Sequence, residues 1–267
     1  MKRFAFLFFY LPVLFWALPV QAGSISIQTY ATCTLMEESV RVNVITANVG
    51  QEAAKNIQVH AIFQDTVRSS KVLPSLKPGQ TYKSFIDIHP KLALPGSYPV
   101  EVRVDFHDLN DYLFTSLAHA SFIYKEAVNI QVFVRPTEAE LTGKAKLNLE
   151  VLNMDQADRE VRIRLLVPRE LQVKPAEQTL RLKGGGKQKV TFKLKNFSAI
   201  EGSAYPVFSF LEYEADGRHY SNVAESRVQV TAGQNFFEKH TSALIIVIAA
   251  LGLVVVLFQV FRTVKKA

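Results

Sequence analysis

From Ser24 onward the chain alternates residue by residue, and this constrains its fold more than any other feature. Val40-Arg41-Val42-Asn43-Val44, Val100-Glu101-Val102-Arg103-Val104 and Val190-Thr191-Phe192-Lys193-Leu194 each alternate apolar with polar or charged side chains. Successive side chains of a β-strand point to opposite faces, so this period predicts strands with one buried and one wet face. Between the two ends of the chain no stretch holds the 3.6-residue apolar period over a useful length. The expected class is all-β, and short strands broken by turn residues at this spacing predict antiparallel sandwiches.

The two ends obey other rules. Lys2 and Arg3 precede an apolar run from Phe4 to Trp16, which leads into Leu18-Pro19-Val20-Gln21-Ala22. That order of charge, apolar stretch and small residue predicts a secretory signal peptide over 1–22, cleaved after Ala22. Pro12 and Pro19 interrupt the run and argue against an uncleaved anchor, and Cys33 has no lipobox before it. At the other end, Ala243 to Phe261 is apolar except at Gln259. As a helix this stretch reaches about 28 Å, close to the hydrocarbon thickness of a bilayer, and it shows no polar face. A transmembrane helix over 242–261 is expected. Arg262, Lys265 and Lys266 then hold the tail 262–267 in the cytoplasm. The expected location is a membrane crossed once, with the N-terminal region on the outer side.

Charge and cysteine content change meaning once the ends are set aside. The formal charge is +7, but Lys2 and Arg3 leave with the signal peptide and three more cations lie in the tail, so about +2 remains on the exported region. A basic pI therefore gives no reason to expect nucleic acid as a partner. One cysteine, Cys33, rules out an intrachain disulfide, so the exported region is held by core burial alone.

That region repeats itself at an offset near 107 residues. Gly79 and Phe85 match Gly186 and Phe192, and Tyr98-Pro99-Val100 matches Tyr205-Pro206-Val207; Asn48 matches Asn153 and Tyr112 matches Tyr220 at nearly the same offset. Order-preserving matches of this kind mean two copies of one fold. The copies are placed at 23–125 and 126–232, with a juxtamembrane linker at 233–241. Pro78-Gly79 and Pro95-Gly96 read as turns that launch strands. Gly184-Gly185-Gly186 falls at a strand-to-strand turn with no helix behind it, which excludes a phosphate loop.

The run Val42-Asn43-Val44-Ile45-Thr46-Ala47-Asn48-Val49-Gly50, followed by Ala54, Asn56-Ile57-Gln58-Val59 and the Pro-Gly turn, resembles the bacterial cell-adhesion-related immunoglobulin-like domains called CARDB. In that family a strand ending in Asn-x-Gly precedes an Ala-x-Asn-Val strand. The second copy departs from it, with Asn153-Met154-Asp155 and Arg159-Glu160-Val161 at these places. The resemblance implies an extracytoplasmic sandwich and brings no catalytic residues with it.

No catalytic, cofactor-binding or metal-ligating set emerges. His60, His89, His107, His119, His219 and His240 do not pair at ligand spacing on one element. Cys33 falls in an alternating strand, where a thiol is a small core residue. Asp105-Phe106-His107-Asp108-Leu109-Asn110-Asp111 offers oxygen ligands, but a calcium loop needs a positioned glycine and a distal glutamate, so a polar hairpin turn is expected. The equivalent Glu214-Ala215-Asp216-Gly217-Arg218-His219 is read the same way. Lys174, Arg181, Lys183, Lys187, Lys189, Lys193 and Lys195 form a basic stripe. It suits anionic headgroups beneath a membrane-proximal domain, but the favoured reading is a guarded sheet edge or a solvated face. Asn196-Phe197-Ser198 is a formal glycosylation sequon.

With the bacterial setting that the resemblance implies, these observations lead to a non-enzymatic envelope protein, crossing the inner membrane once, that offers its sandwiches to a protein partner and meets the bilayer through its C-terminal helix. A glycan or cell-wall polymer is the alternative ligand, weakened because Trp16, the one tryptophan, lies in the signal peptide. N-terminal sequencing of the membrane-extracted protein should begin at Gly23; a sequence beginning at Met1 contradicts the assignment.

Overall fold

The computed structural model describes residues 25–233 together with 245–247, 250 and 251. The first half carries β1 (Ile27–Leu35), β2 (Val40–Asn48), β3 (Ala54–Phe63), β4 (Thr66–Ser69), β5 (Leu73–Leu76), β6 (Thr81–Ile88), β7 (Gly96–His107) and β8 (Leu113–Tyr124). The second half carries β9 (Val132–Arg135), β10 (Glu138–Leu141), β11 (Lys144–Asn153), β12 (Arg159–Leu166), β13 (Leu171–Lys174), β14 (Glu177–Leu182), β15 (Lys187–Asn196), β16 (Ala204–Ala215) and β17 (Arg218–Val230). The fold is all-β and sandwich-like, as the alternation predicts. Among the described residues no helix is long and apolar enough to cross a membrane. Residues 245–247, 250 and 251 are helical, and the rest of the expected span lies outside the described residues, as do the expected signal peptide at 1–22 and the expected cytoplasmic tail at 262–267.

Each half stacks an outer sheet on an inner one. In the first, β1-β2-β6 covers an inner sheet of β8, β7 and β3, with β4 and β5 along the far side of β3. In the second, β13-β15-β11-β9 covers β14-β12-β16-β17, to which β10 adds in parallel. The inward positions of the alternation fill two separate cores. One is built on Val42, Ile57, Val59, Val100, Val102 and Val104, the other on Leu147, Leu149, Ile163, Phe192, Val207 and Leu211. β15 shows the pattern plainly, with Val190, Phe192 and Leu194 buried between exposed polar residues.

Two strands break the expectation of a wet face. β7 buries Glu101 and Asp105 as well as its valines, and β16 is buried on both sides from Val207 to Leu211. The reason is that the outward faces of the two inner sheets cover one another.

Asn48 and Asn153, matched in the sequence, turn out to be structural twins. Asn48 is buried at the end of β2, where its Nδ2 donates to Glu52 O (2.8 Å) and Leu76 O (2.9 Å) and its Oδ1 accepts from Gly50 N (3.0 Å). Asn153 ends β11, donates to Ala157 O (2.9 Å) and Lys183 O (3.1 Å), and accepts from Asp155 N (3.0 Å). Each amide thus ties the end of an outer-sheet strand to a strand of the inner sheet. Asn48→Ala or Asn153→Ala leaves buried carbonyls without donors and should cost its sandwich about 2–3 kcal/mol, measured by urea unfolding. Asn→Asp, which sets a carboxylate oxygen against two carbonyl oxygens, should cost more. Losses within experimental error would remove the amides from the list of structural ties.

Candidate interaction surfaces

The two sandwiches meet along a built seam. At one end Gly96, with φ of 144°, lies opposite His219, and a Cβ there would fall 1.9 Å from the His219 carbonyl oxygen. Gly96 is thus required by a close approach of two domains, where the sequence suggested a turn. His219 N donates to Pro95 O (2.9 Å), and its ring stacks on Tyr98 with centroids 4.1 Å apart. The ring's Nδ1 lies 2.8 Å from Ser97 O and its Nε2 lies 3.4 Å from Glu212. Burial pushes the Glu212 carboxyl up, but His219, Arg162 and Arg164 outweigh it and hold the group below the usual carboxylate range.

Further along, Glu101 of β7 is paired with Arg164 of β12, whose guanidinium lies over the Phe210 ring. Leu117, Phe208 and Phe210 make a small apolar cluster, with His119 edge-on to Phe208 at 5.1 Å. Burial lowers the His119 pKa. Asp105 accepts from Thr115 Oγ1 and Arg169, both at 3.1 Å, and lies 3.3 Å from Arg103 and 3.4 Å from His60. Burial alone would raise its pKa, but these partners hold it below the ordinary value. Glu170 is 1% exposed and accepts from Thr115 N (3.0 Å), while its other oxygen has no partner. Burial, helped by the Asp105 charge, raises the Glu170 pKa. This set positions and locks; no side chain in it is arranged to attack a substrate.

The other residues singled out in the sequence lie apart. In the Asp105–Asp111 stretch the carboxylates diverge. Asp105 belongs to the seam, Asp108 Oδ1 accepts from Asn110 N and Tyr112 N (both 2.8 Å), and Asp111 is 4.0 Å from Lys55. Among the described residues no three His, Cys, Asp or Glu side chains are grouped to hold a metal. Cys33 is half-buried and burial pushes its thiol up to about 12, so it is a poor nucleophile. The Asn196 amide is engaged with Ala199 O at 3.0 Å.

The basic stripe is rearranged. Arg181 sits on β14 of the inner sheet and pairs with Asp158, and Lys187 pairs with Glu150. Lys193 and Lys195 stand on β15, an interior strand of the outer sheet, so they guard no edge. Lys193 lies between Lys146 of β11 and Lys174 of β13, and Lys195 between Lys144 and Gln172. A shallow groove of about 600 Å³ runs among them. The sequence stripe missed Lys144 and Lys146, because cross-strand register is not visible in a linear run. It also missed Glu101, Arg164 and Glu170. Their legible signal was the nearly unbroken apolar run Val207-Phe208-Ser209-Phe210-Leu211, where β16 loses the charged alternation that its repeat partner β7 keeps.

On the outer sheet of the first sandwich, Tyr30, Ile45 and Phe85 are 62%, 42% and 64% exposed. Tyr30 lies opposite Ile45, and Phe85 lies diagonal to Ile45 through Asn43, so the three are contiguous across β1, β2 and β6.

No curated protein sequence matches the chain. Among solved structures it is similar to a PapD-like domain of human CEP192 (15% identity, 39% of this chain and 87% of that chain, TM-score 0.28). It is also similar to a protein of unknown function from Porphyromonas gingivalis (11%, 76% and 99%, TM-score 0.31). A third likeness is to elastase-activated alpha-2-macroglobulin from Escherichia coli (10%, 78% and 22%, TM-score 0.30), of which the chain spans about a fifth. At these TM-scores the likenesses add nothing to the fold described above. The family comparison is more specific: the CARDB family model matches residues 24–109, so the first sandwich, with its Asn48-x-Gly50 strand end, carries the CARDB domain that its sequence resembles.

Proposed function

We propose that the chain is a non-enzymatic, membrane-anchored scaffold of the bacterial envelope that presents its two immunoglobulin-like sandwiches as one unit to a protein partner. The observation that carries this reading is the contiguous Tyr30, Ile45 and Phe85 patch, exposed on one sheet face among the described residues. Exposed aromatic and aliphatic side chains grouped on one rigid face are the usual core of a protein interface. The seam supports the same reading, because its buried charges join the sandwiches instead of lining a reaction cavity. The apolar stretch at 243–261 supplies the anchor. Its small residues Ala243, Ala249, Ala250 and Gly252 are followed four positions on by Val247, Leu253, Val254 and Val256, which leaves no close-packing seam for a partner helix.

Affinity capture from native membranes tests the reading. A chain whose residues 243–261 are exchanged for an unrelated apolar span should retain its envelope protein partner. Phe85→Ser with Tyr30→Ser should reduce capture at least about tenfold, as loss of an interface hot spot does. Loss of the partner on helix exchange, with both sandwiches folded, would place recognition inside the bilayer instead.

The seam also predicts a pH dependence. Glu170 has a raised folded pKa, so its contribution to stability is fully present below the ordinary glutamate value and is lost as pH rises through the folded value. Asp105 works in the opposite sense, stabilising above the ordinary aspartate value and losing that contribution as pH falls through its depressed one. Glu170→Gln should therefore raise the thermal midpoint at pH 7.5 and leave it unchanged at about pH 4. Equal midpoints for variant and parent at both pH values contradict this account of Glu170.

A further inference from the structure

The outer sheet of the second sandwich carries an arrangement that folding alone disfavours. Lys144 faces Lys195, Lys146 faces Lys193, and Lys193 faces Lys174 across antiparallel ladders. Like charges directly opposite one another repel, and among the described residues none of these five lysines forms an ion pair. Along the same face, Glu150 stands opposite Lys189 and pairs with Arg135 and Lys187. The lysines that face lysines are thus gathered at one end of the sheet.

That end is the one from which the chain leaves. Thr231, just beyond β17, donates its N–H to Leu141 O (3.1 Å) and its hydroxyl lies 2.6 Å from that of Thr142, two residues before Lys144. The β15–β16 loop closes the same end, with Gly202 N donating to Val230 O (2.9 Å). In this loop the Asn196 side chain bonds both the N–H and the carbonyl of Ala199, which fixes a tight turn. Phe197 and Ile200 are left 68% and 53% exposed on it. Lysines, two outward apolar side chains and the chain exit therefore share one end of the sandwich. Residues 234–242, which lead to the apolar stretch beginning at Ala243, can extend at most about 30 Å. Such a tether keeps the lysines at high effective concentration over the membrane surface.

We propose that this end of the second sandwich docks on the bilayer, its lysine face meeting anionic lipid headgroups and Phe197 and Ile200 entering the interface. The proposal rests on the anchored reading above. Charge complementarity argues for anionic lipid over a neutral partner, and the exposed apolar pair argues for an interface over a soluble anion.

The test uses the full chain in lipid nanodiscs and follows lysine acylation by mass spectrometry. In discs containing phosphatidylglycerol, Lys144, Lys146, Lys174, Lys193 and Lys195 should label about fivefold more slowly than in phosphatidylcholine discs. Lys71, Lys83 and Lys125, exposed on the first sandwich, serve as references and should not change. High salt should abolish the protection, because contacts of surface charges are screened. Phe197→Ser, a change at an exposed position, should weaken protection without unfolding the domain. Equal labelling in the two kinds of disc means a solvated face and overturns the proposal. Equal protection in both overturns the headgroup assignment. Protection by inorganic polyphosphate in neutral discs, with none from phosphatidylglycerol, identifies a soluble polyanion site and overturns it too. A chain that fails to enter discs overturns the anchored reading, and this one with it.

Discussion

The two sandwiches are held by a buried contact between charged and aromatic faces, and the arrangement of every other surface follows from it. Glu101, Asp105 and Glu170 are almost wholly removed from water, which is unfavourable for a carboxylate unless partners replace its hydration. Arg164 does so for Glu101 while stacking on Phe210; Thr115, Arg169, Arg103 and His60 do so for Asp105. A buried pair of this kind adds little net stability over an apolar contact, but it is strict about geometry. Truncating one partner strands the other charge, so the sandwiches cannot slide without a penalty of about 3–5 kcal/mol. Gly96 adds a steric condition, since only a residue without a side chain lets β7 approach the His219 backbone.

The seam also shows how a duplicated domain acquires a second use. At the repeat offset, Glu101, Arg103 and Asp105 of β7 correspond to Phe208, Phe210 and Glu212 of β16. The inward halves of these strands do the same work in both copies, filling a core with valine, leucine and aromatic side chains. Their outward halves have diverged into complementary surfaces, charged on β7 and aromatic on β16. The paired asparagines are unchanged, because the task of tying two sheets together is the same in each copy.

How much of this could be read beforehand depends on the range over which each interaction acts. Alternation is local, so the all-β class, the strands and the CARDB-like first domain are legible from Val42 to Gly50 and its neighbours. The Asn48 and Asn153 match is legible as repetition, though its hydrogen bonds are not. The seam joins residues more than fifty positions apart, such as Glu101 with Arg164 and Asp105 with Arg169, and nothing in either local pattern names the other. The guarded-edge reading of Lys193 and Lys195 fails for the same reason, since strand order within a sheet decides which strand is an edge. The local run Val207 to Leu211 did announce a strand covered on both faces, without saying by what.

The inner strands of the two halves meet at one bridge, Gly96 opposite His219, and form a ten-stranded sheet, with β1-β2-β6 stacked on the first half and β13-β15-β11-β9 on the second. Two outer faces therefore remain open, and their chemistry differs sharply. The first presents Tyr30, Ile45 and Phe85, with Arg41 laid over the Phe85 ring and paired to Asp87. The second presents lysines against lysines at the end where the chain departs towards its apolar stretch. If the lysine face rests on lipid, the locked seam fixes how the aromatic face is turned relative to the membrane. Orientation is then a property of the seam itself. A hinge between the sandwiches would let the aromatic face swing relative to the lysine face, whereas buried charge pairs such as Glu101 with Arg164 hold the two in one fixed relation.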